Sequence, residues 1–146
     1  MATATQNYSN HRQFVPMFHG VLFGILVLTL VGSVVNLAKS VGDHERLYSS
    51  ALITVLVVCS LMLFIFCRTF ALKAQDRAIR AEENLRHFVL TGKLLDPRLN
   101  IRQVIALRFA PDGEFVSLAQ RAAAESMTPD AIKQAVKDWR ADTYRV

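Results

Sequence analysis

The four histidines and two cysteines of this 146-residue chain are the side chains suited to metal, haem or thiol chemistry. A metal needs ligands that converge, most simply as HxxxH or as Cys and His a few residues apart. His11, His19, His44 and His87 show no such spacing, and neither Cys59 nor Cys67 has a histidine near it in sequence. The two cysteines fall on one predicted helix with Cα atoms about 12 Å apart, too far for a disulfide between them. Haem held between two apolar helices would need a histidine inside one, and His19 alone sits at the edge of such a stretch. The chain contains no GxxxxGK(S/T), GxGxxG or GxSxG sequence, so the common phosphate-cradling loops and the nucleophile elbow are missing. We therefore expect no catalytic residues, no metal and no cofactor, and a protein that is not an enzyme.

The elements that would have to position any chemistry are apolar helices. No residue from Gln13 to Ala38 carries a fixed charge, and Leu47 to Cys67 repeats the pattern. Each block exceeds the ~20 residues that cross a bilayer as a helix. Residues 1–12 lack the Lys/Arg-rich start of a signal peptide, and no small-residue cleavage site follows, so the first block reads as a span rather than a leader. Neither block holds a carboxylate, which argues against a proton or ion path through the helices themselves. Asn7-Tyr8-Ser9 matches a glycosylation sequon, but on a cytoplasmic tail it would not be used.

From Asp43 to Thr91 there is neither Gly nor Pro. The second block therefore continues beyond Arg68 as one long helix into water, through an Ala-rich, charged segment. Asp43 is the expected N-cap of this helix, and Gly92 its end. So short a connection before Asp43 forces an antiparallel hairpin with both termini on one side. That side carries Arg12, Arg68, Lys73, Arg77 and Arg80. The connection balances Lys39 and Arg46 with Asp43 and Glu45, so the charge bias puts both termini in the cytoplasm. Arg68, Lys73, Arg77 and Arg80, with Tyr48 at the opposite end of the span, read as membrane-interface residues. Most of the net charge of +5 lies in this cluster, set against Asp76, and it suggests no nucleic-acid partner.

Two stripes suit helix docking. Gly20, Gly24, Gly32 and Asn36 fall on a four-residue ladder in the first span, fit for close approach by the second span or by another helix. Ala71, Ala74, Ala78 and Ala81, followed by Leu85 and Phe88, alternate three and four residues apart as a heptad seam. It fits either the terminal domain or self-association. Glu82 and Arg86 are spaced as a flanking ion pair.

Three short helices are expected after Gly92. Asn100 with Gln103 forms a capping box opening a helix to about Phe109. A second runs roughly from Gly113 to Ser126 with Phe115, Leu118, Ala119 and Ala122 inward. A third starts at Thr128-Pro129, stapled by Met127 and Ile132, with Ile132, Ala135, Val136 and Trp139 as its apolar stripe. Trp139 is also a candidate partner contact. Lys133, Lys137 and Arg140 are balanced by Asp130 and Asp138, unlike a DNA-recognition helix.

These segments resemble an uncharacterised bacterial family of small two-span membrane proteins, a domain of unknown function. The matching pieces are Asn7-Tyr8-Ser9-Asn10-His11 before Phe14 and Pro16, Arg68-Thr69-Phe70-Ala71-Leu72-Lys73 with Gln75-Asp76-Arg77, and Ile105-Ala106-Leu107-Arg108-Phe109-Ala110. Ile132-Lys133, Val136-Lys137 and Trp139-Arg140, ending at Val146, complete them. The resemblance covers nearly the whole chain and implies a bacterial cytoplasmic membrane, but no activity.

The expected fold is all-α. A polar tail (1–15) precedes a transmembrane hairpin (16–67, spans about 16–38 and 47–67). A cytoplasmic helical extension (68–91) and a C-terminal helical domain (92–146) follow. The expected protein is a multi-pass inner-membrane component whose partners are the lipid bilayer and either copies of itself or a larger complex. A homo-oligomeric pore with a cytoplasmic vestibule is the alternative.

Overall fold

The computed structural model describes residues 6–11 and 13–142. Arg12 and Val146, used above in the charge count and the resemblance, lie outside the described residues. Among the described residues the ordered elements are all helical, with no strand. The chain forms two compact units, Phe14–Phe70 and a second that joins Met1–Gln13 to Ala71–Val146. The N-terminal tail, read from sequence as a separate polar segment, thus belongs with the terminal helices.

The first unit is a helical hairpin. A π-helical turn, Pro16–Leu22, leads into α1, Phe23–Lys39, and α2, His44–Thr91, begins after a short connection. Gly42 takes φ +102° in that connection, where a side chain would be strained. Asp43 caps α2 as expected: its Oδ1 accepts the Arg46 N–H at 3.2 Å. The π turn was not expected, since Pro16 suggests an ordinary α-helical start. In an α-helix Phe18 and Phe23, five residues apart, point about 140° apart. The wider turn swings them together, and both rings meet Phe64, with centroids at 4.2 and 5.7 Å.

The two arms of the hairpin meet through small hydroxyl residues. Ser33 and Ser50 are buried, and the Thr54 hydroxyl donates to the Ser33 carbonyl at 3.3 Å. Ser33 and Ser50 direct their own hydroxyls to the Leu30 and Leu47 carbonyls of their own helices, which satisfies them without a partner across the gap. Both long helices, Pro16–Lys39 and His44–Thr91, are apolar and long enough to cross a membrane. Only 6% and 11% of their most apolar windows are buried within the protein.

The second unit holds the remainder of α2 and three short helices, α3 (Ile101–Leu107), α4 (Asp112–Ala124) and α5 (Pro129–Ala135). Gly92, at φ +71°, ends α2, and its N–H donates to the Phe88 carbonyl at 2.7 Å. The capping box is formed: Asn100 accepts the Gln103 N–H at 3.0 Å, and Gln103 accepts the Asn100 N–H at 2.8 Å. Gln103 also donates its Nε2 to the Met127 carbonyl at 2.8 Å, tying the start of α3 to the entry of α5. Replacing Gln103 with Ala should cost about 1–3 kcal/mol, because a buried side chain serving the Asn100 N–H and the Met127 carbonyl is lost. Thermal unfolding of the full chain, followed by the fluorescence of its single tryptophan, Trp139, would show the midpoint fall.

Just past α4, Ser126 takes φ +51°, a left-handed position unusual for a residue with a side chain. The Met127 N–H returns to the Ala122 carbonyl at 3.1 Å, so this is a helix-terminating turn that favours glycine. Ser126→Gly is expected to stabilise the unit by about 0.5–1 kcal/mol, read as a raised midpoint in the same assay.

Thr128 caps α5 by accepting the Ala131 N–H at 3.2 Å. The helix is shorter than the apolar stripe suggests. It stops at Ala135, and Val136 is extended. The cause is tertiary: the Glu114 carboxylate accepts the N–H groups of Lys137 and Asp138 at 3.0 and 3.2 Å. The Arg140 N–H then donates to the Phe109 carbonyl at 2.8 Å. Trp139 therefore lies on an extended segment, stacked on buried Phe109 at 4.7 Å. The core of this unit is built around Phe115, Leu107, Val104 and Ile132.

Candidate functional site

The faces of α2 in its second half decide what this unit can do. One face carries the short helices. Ile79, Glu83 and His87 are buried there, four residues apart on one side of the helix. His87 Nδ1 lies 2.7 Å from the Lys93 carbonyl, and its ring meets the Phe115 edge at 5.9 Å. The heptad seam lies on the opposite side. Ala71 is half-buried, while Ala74, Ala78 and Ala81 are exposed. Leu85 is 63% exposed and Phe88 50%. The terminal helices therefore do not use the seam.

The buried face is held by an ionic cluster that the sequence did not reveal. Arg86 was expected to pair with Glu82. It pairs with Glu83 instead, Nη1 to Oε2 at 3.0 Å, and donates to Asp112 Oδ1 from Nε at 2.7 Å. Nη2 donates to the Ala110 carbonyl at 2.7 Å, and the guanidinium lies 4.2 Å from the centroid of the Phe115 ring. Arg140 approaches the other oxygen of Glu83 at 3.8 Å. Asp112 is the first residue of α4 and is engaged by Arg86, while Pro111 is the N-cap. A cleft of about 520 Å³ opens over these residues. Glu82 lines it as well, and Arg86 and Arg140 pair with Glu83 and Asp112 across it, joining α2 to α4.

The tail completes the unit. The Asp142 N–H donates to Gln6 Oε1 at 2.7 Å, and the His11 ring lies 6.0 Å from both the Phe109 and Trp139 rings. Trp139, a candidate partner contact, is half-buried in this internal stack. Asp96 in the exposed connection after α2 has its carboxyl held at about 2, below its usual 3.8, chiefly by side-chain hydrogen bonds from Arg98. A depressed carboxyl adds stability above its unfolded value and loses it as pH falls through the folded value. The unit should therefore weaken between pH 3.8 and about 2, and Arg98→Ala should flatten that part of the profile. The slope will be shallow because the pair is exposed to water; Trp139 melts across this pH range measure it.

The hairpin's candidate residues separate in the same manner. Gly20, Gly32 and Asn36 are exposed and Gly24 half-buried. A Cβ at any of these three glycines meets nothing within 4 Å, so the arms of the hairpin do not use the ladder. Arg68 is half-buried, and Lys73, Arg77, Arg80 and Tyr48 are exposed. Among the described residues no group of three or more His, Cys, Asp or Glu side chains converges to hold a metal.

Neither the curated proteins nor the solved structures provide a match. The chain matches the Family of unknown function (DUF6526) over residues 1–146. It belongs to that family.

Proposed function

We propose that this chain is a non-enzymatic integral membrane protein that docks, through helix faces its own fold leaves uncovered, onto itself or a larger membrane complex. The observation that carries the reading is the uncovered face of α2. Leu85, Phe88 and Val89 are exposed beside Ala74, Ala78 and Ala81, while the charged face opposite is the one buried. An apolar strip of this kind next to a satisfied bundle is a contact surface. Membrane insertion is supported by two apolar helices left almost wholly uncovered by protein, unlike the core helices of a soluble domain. The tail before the first span and the residues after Ala71 fold as one unit, which supports placing both on one side of the bilayer. Arg68, Lys73, Arg77 and Arg80 favour the cytoplasmic side of an inner membrane.

Cross-linking in intact membranes tests the reading. A docking component is captured in species larger than its 16.4 kDa chain and stays in the membrane pellet after an alkaline wash. Release by the wash would contradict the membrane assignment, and a bare single-chain band would contradict docking.

A further inference from the structure

We infer that the occupant of the exposed α2 seam is a second copy of this chain, joined in parallel as a two-stranded coiled coil. This rests on the docking reading above and names its partner. The argument begins from register. With Ala71, Ala78 and Leu85 at the a positions, Ala74, Ala81 and Phe88 fall at d. The flanking e and g positions then include Glu82 and Arg77. In a parallel pair each g residue faces the e residue five positions on in the other strand. Arg77 of one copy therefore faces Glu82 of the other, and the two-fold axis repeats the pair. Both side chains are exposed, and neither is in an ion pair among the described residues. An antiparallel pair with the same apolar layers would instead set Arg77 beside Asn84 and Glu82 beside Gln75, and the charge pairing would be lost.

The whole seam, from Ala71 to Phe88, lies on one unbroken helix. Alanine at successive a and d positions permits helix axes about 8 Å apart. Leu85 and Phe88 supply the larger apolar side chains at the far end, with Val89, 74% exposed, beside them at e. The residues that α2 buries against the bundle, Ile79, Glu83 and His87, occupy b, f and c positions, away from the seam.

Charge exchange in the full-length, detergent-solubilised protein tests the pairing by sedimentation. The wild type should sediment as a dimer. Arg77→Glu and Glu82→Arg should each weaken dimerisation about tenfold, since two attractions become two repulsions. The double exchange should restore it, and Leu85→Glu should abolish it. Circular dichroism and Trp139 fluorescence check that each variant keeps its fold. A dimer indifferent to all four variants would overturn the seam as its interface while leaving docking through the hairpin intact. Single losses without rescue by the double exchange would overturn the parallel register. A wild-type monomer accompanied by a different protein would overturn self-pairing but support docking. A wild-type monomer with no companion would count against both.

Discussion

Replacing Arg86 with Ala should destabilise the terminal unit by about 3–5 kcal/mol, a large share of the ~5–15 kcal/mol that holds a small domain. The reason is what remains behind. The Glu83 side chain is only 6% exposed, and without Arg86 the cation left beside it among the described residues is Arg140 at 3.8 Å. The Ala110 carbonyl, in a fully buried residue, loses its donor as well. Glu83→Leu combined with Arg86→Met should recover much of the loss, because no buried charge is then left unpaired. Recovery should be incomplete, since the Ala110 carbonyl still lacks its bond. Asp112 and Arg140, 69% and 55% exposed, can return to water at little cost. Chemical unfolding of the full chain, read by Trp139, gives all three stabilities. A loss under 1 kcal/mol for Arg86→Ala would mean that the ionic cluster does not hold the short helices to α2.

Phe115→Ala should produce the second large loss, about 3–5 kcal/mol. The ring is wholly buried on α4 in the centre of the core. One face also carries the Arg86 guanidinium at 4.2 Å, and the His87 ring meets it nearly edge-on. Truncation therefore removes packing and a cation–π contact together. Because Arg86 and Phe115 share that contact, the double replacement should lose less than the sum of the two singles. Strict additivity would contradict the coupling.

What the sequence made legible was local. The Asp43 cap, the Gly92 stop, the Asn100–Gln103 box and the Thr128–Pro129 start each depend on residues within a turn of one another. All four are present where the sequence placed them. What was not legible depended on distant partners. The apolar stripe from Ile132 to Trp139 suggested a longer last helix, and Glu114, far away in sequence, peels the chain off at Val136. Helical spacing favoured Glu82 as the partner of Arg86, whereas Glu83 and Asp112 take it once the helices close together.

The docking stripes show the same limit. Periodicity found the Ala seam but could not say what would cover it. The terminal helices chose the opposite face, where Glu83 and His87 look like solvent-facing residues until Arg86 and the Lys93 carbonyl are seen beside them. The glycine ladder was likewise visible in sequence, yet the arms of the hairpin meet at Ser33 and Ser50. Both stripes remain uncovered in the single chain, and the proposed function rests on that.

Native mass spectrometry of the gently solubilised protein tests that claim most directly. The account predicts that the chain leaves the membrane in an assembly, with a mass that is a multiple of 16.4 kDa or that includes other protein subunits. A homogeneous single chain, folded by its Trp139 fluorescence and free of companions, would contradict it.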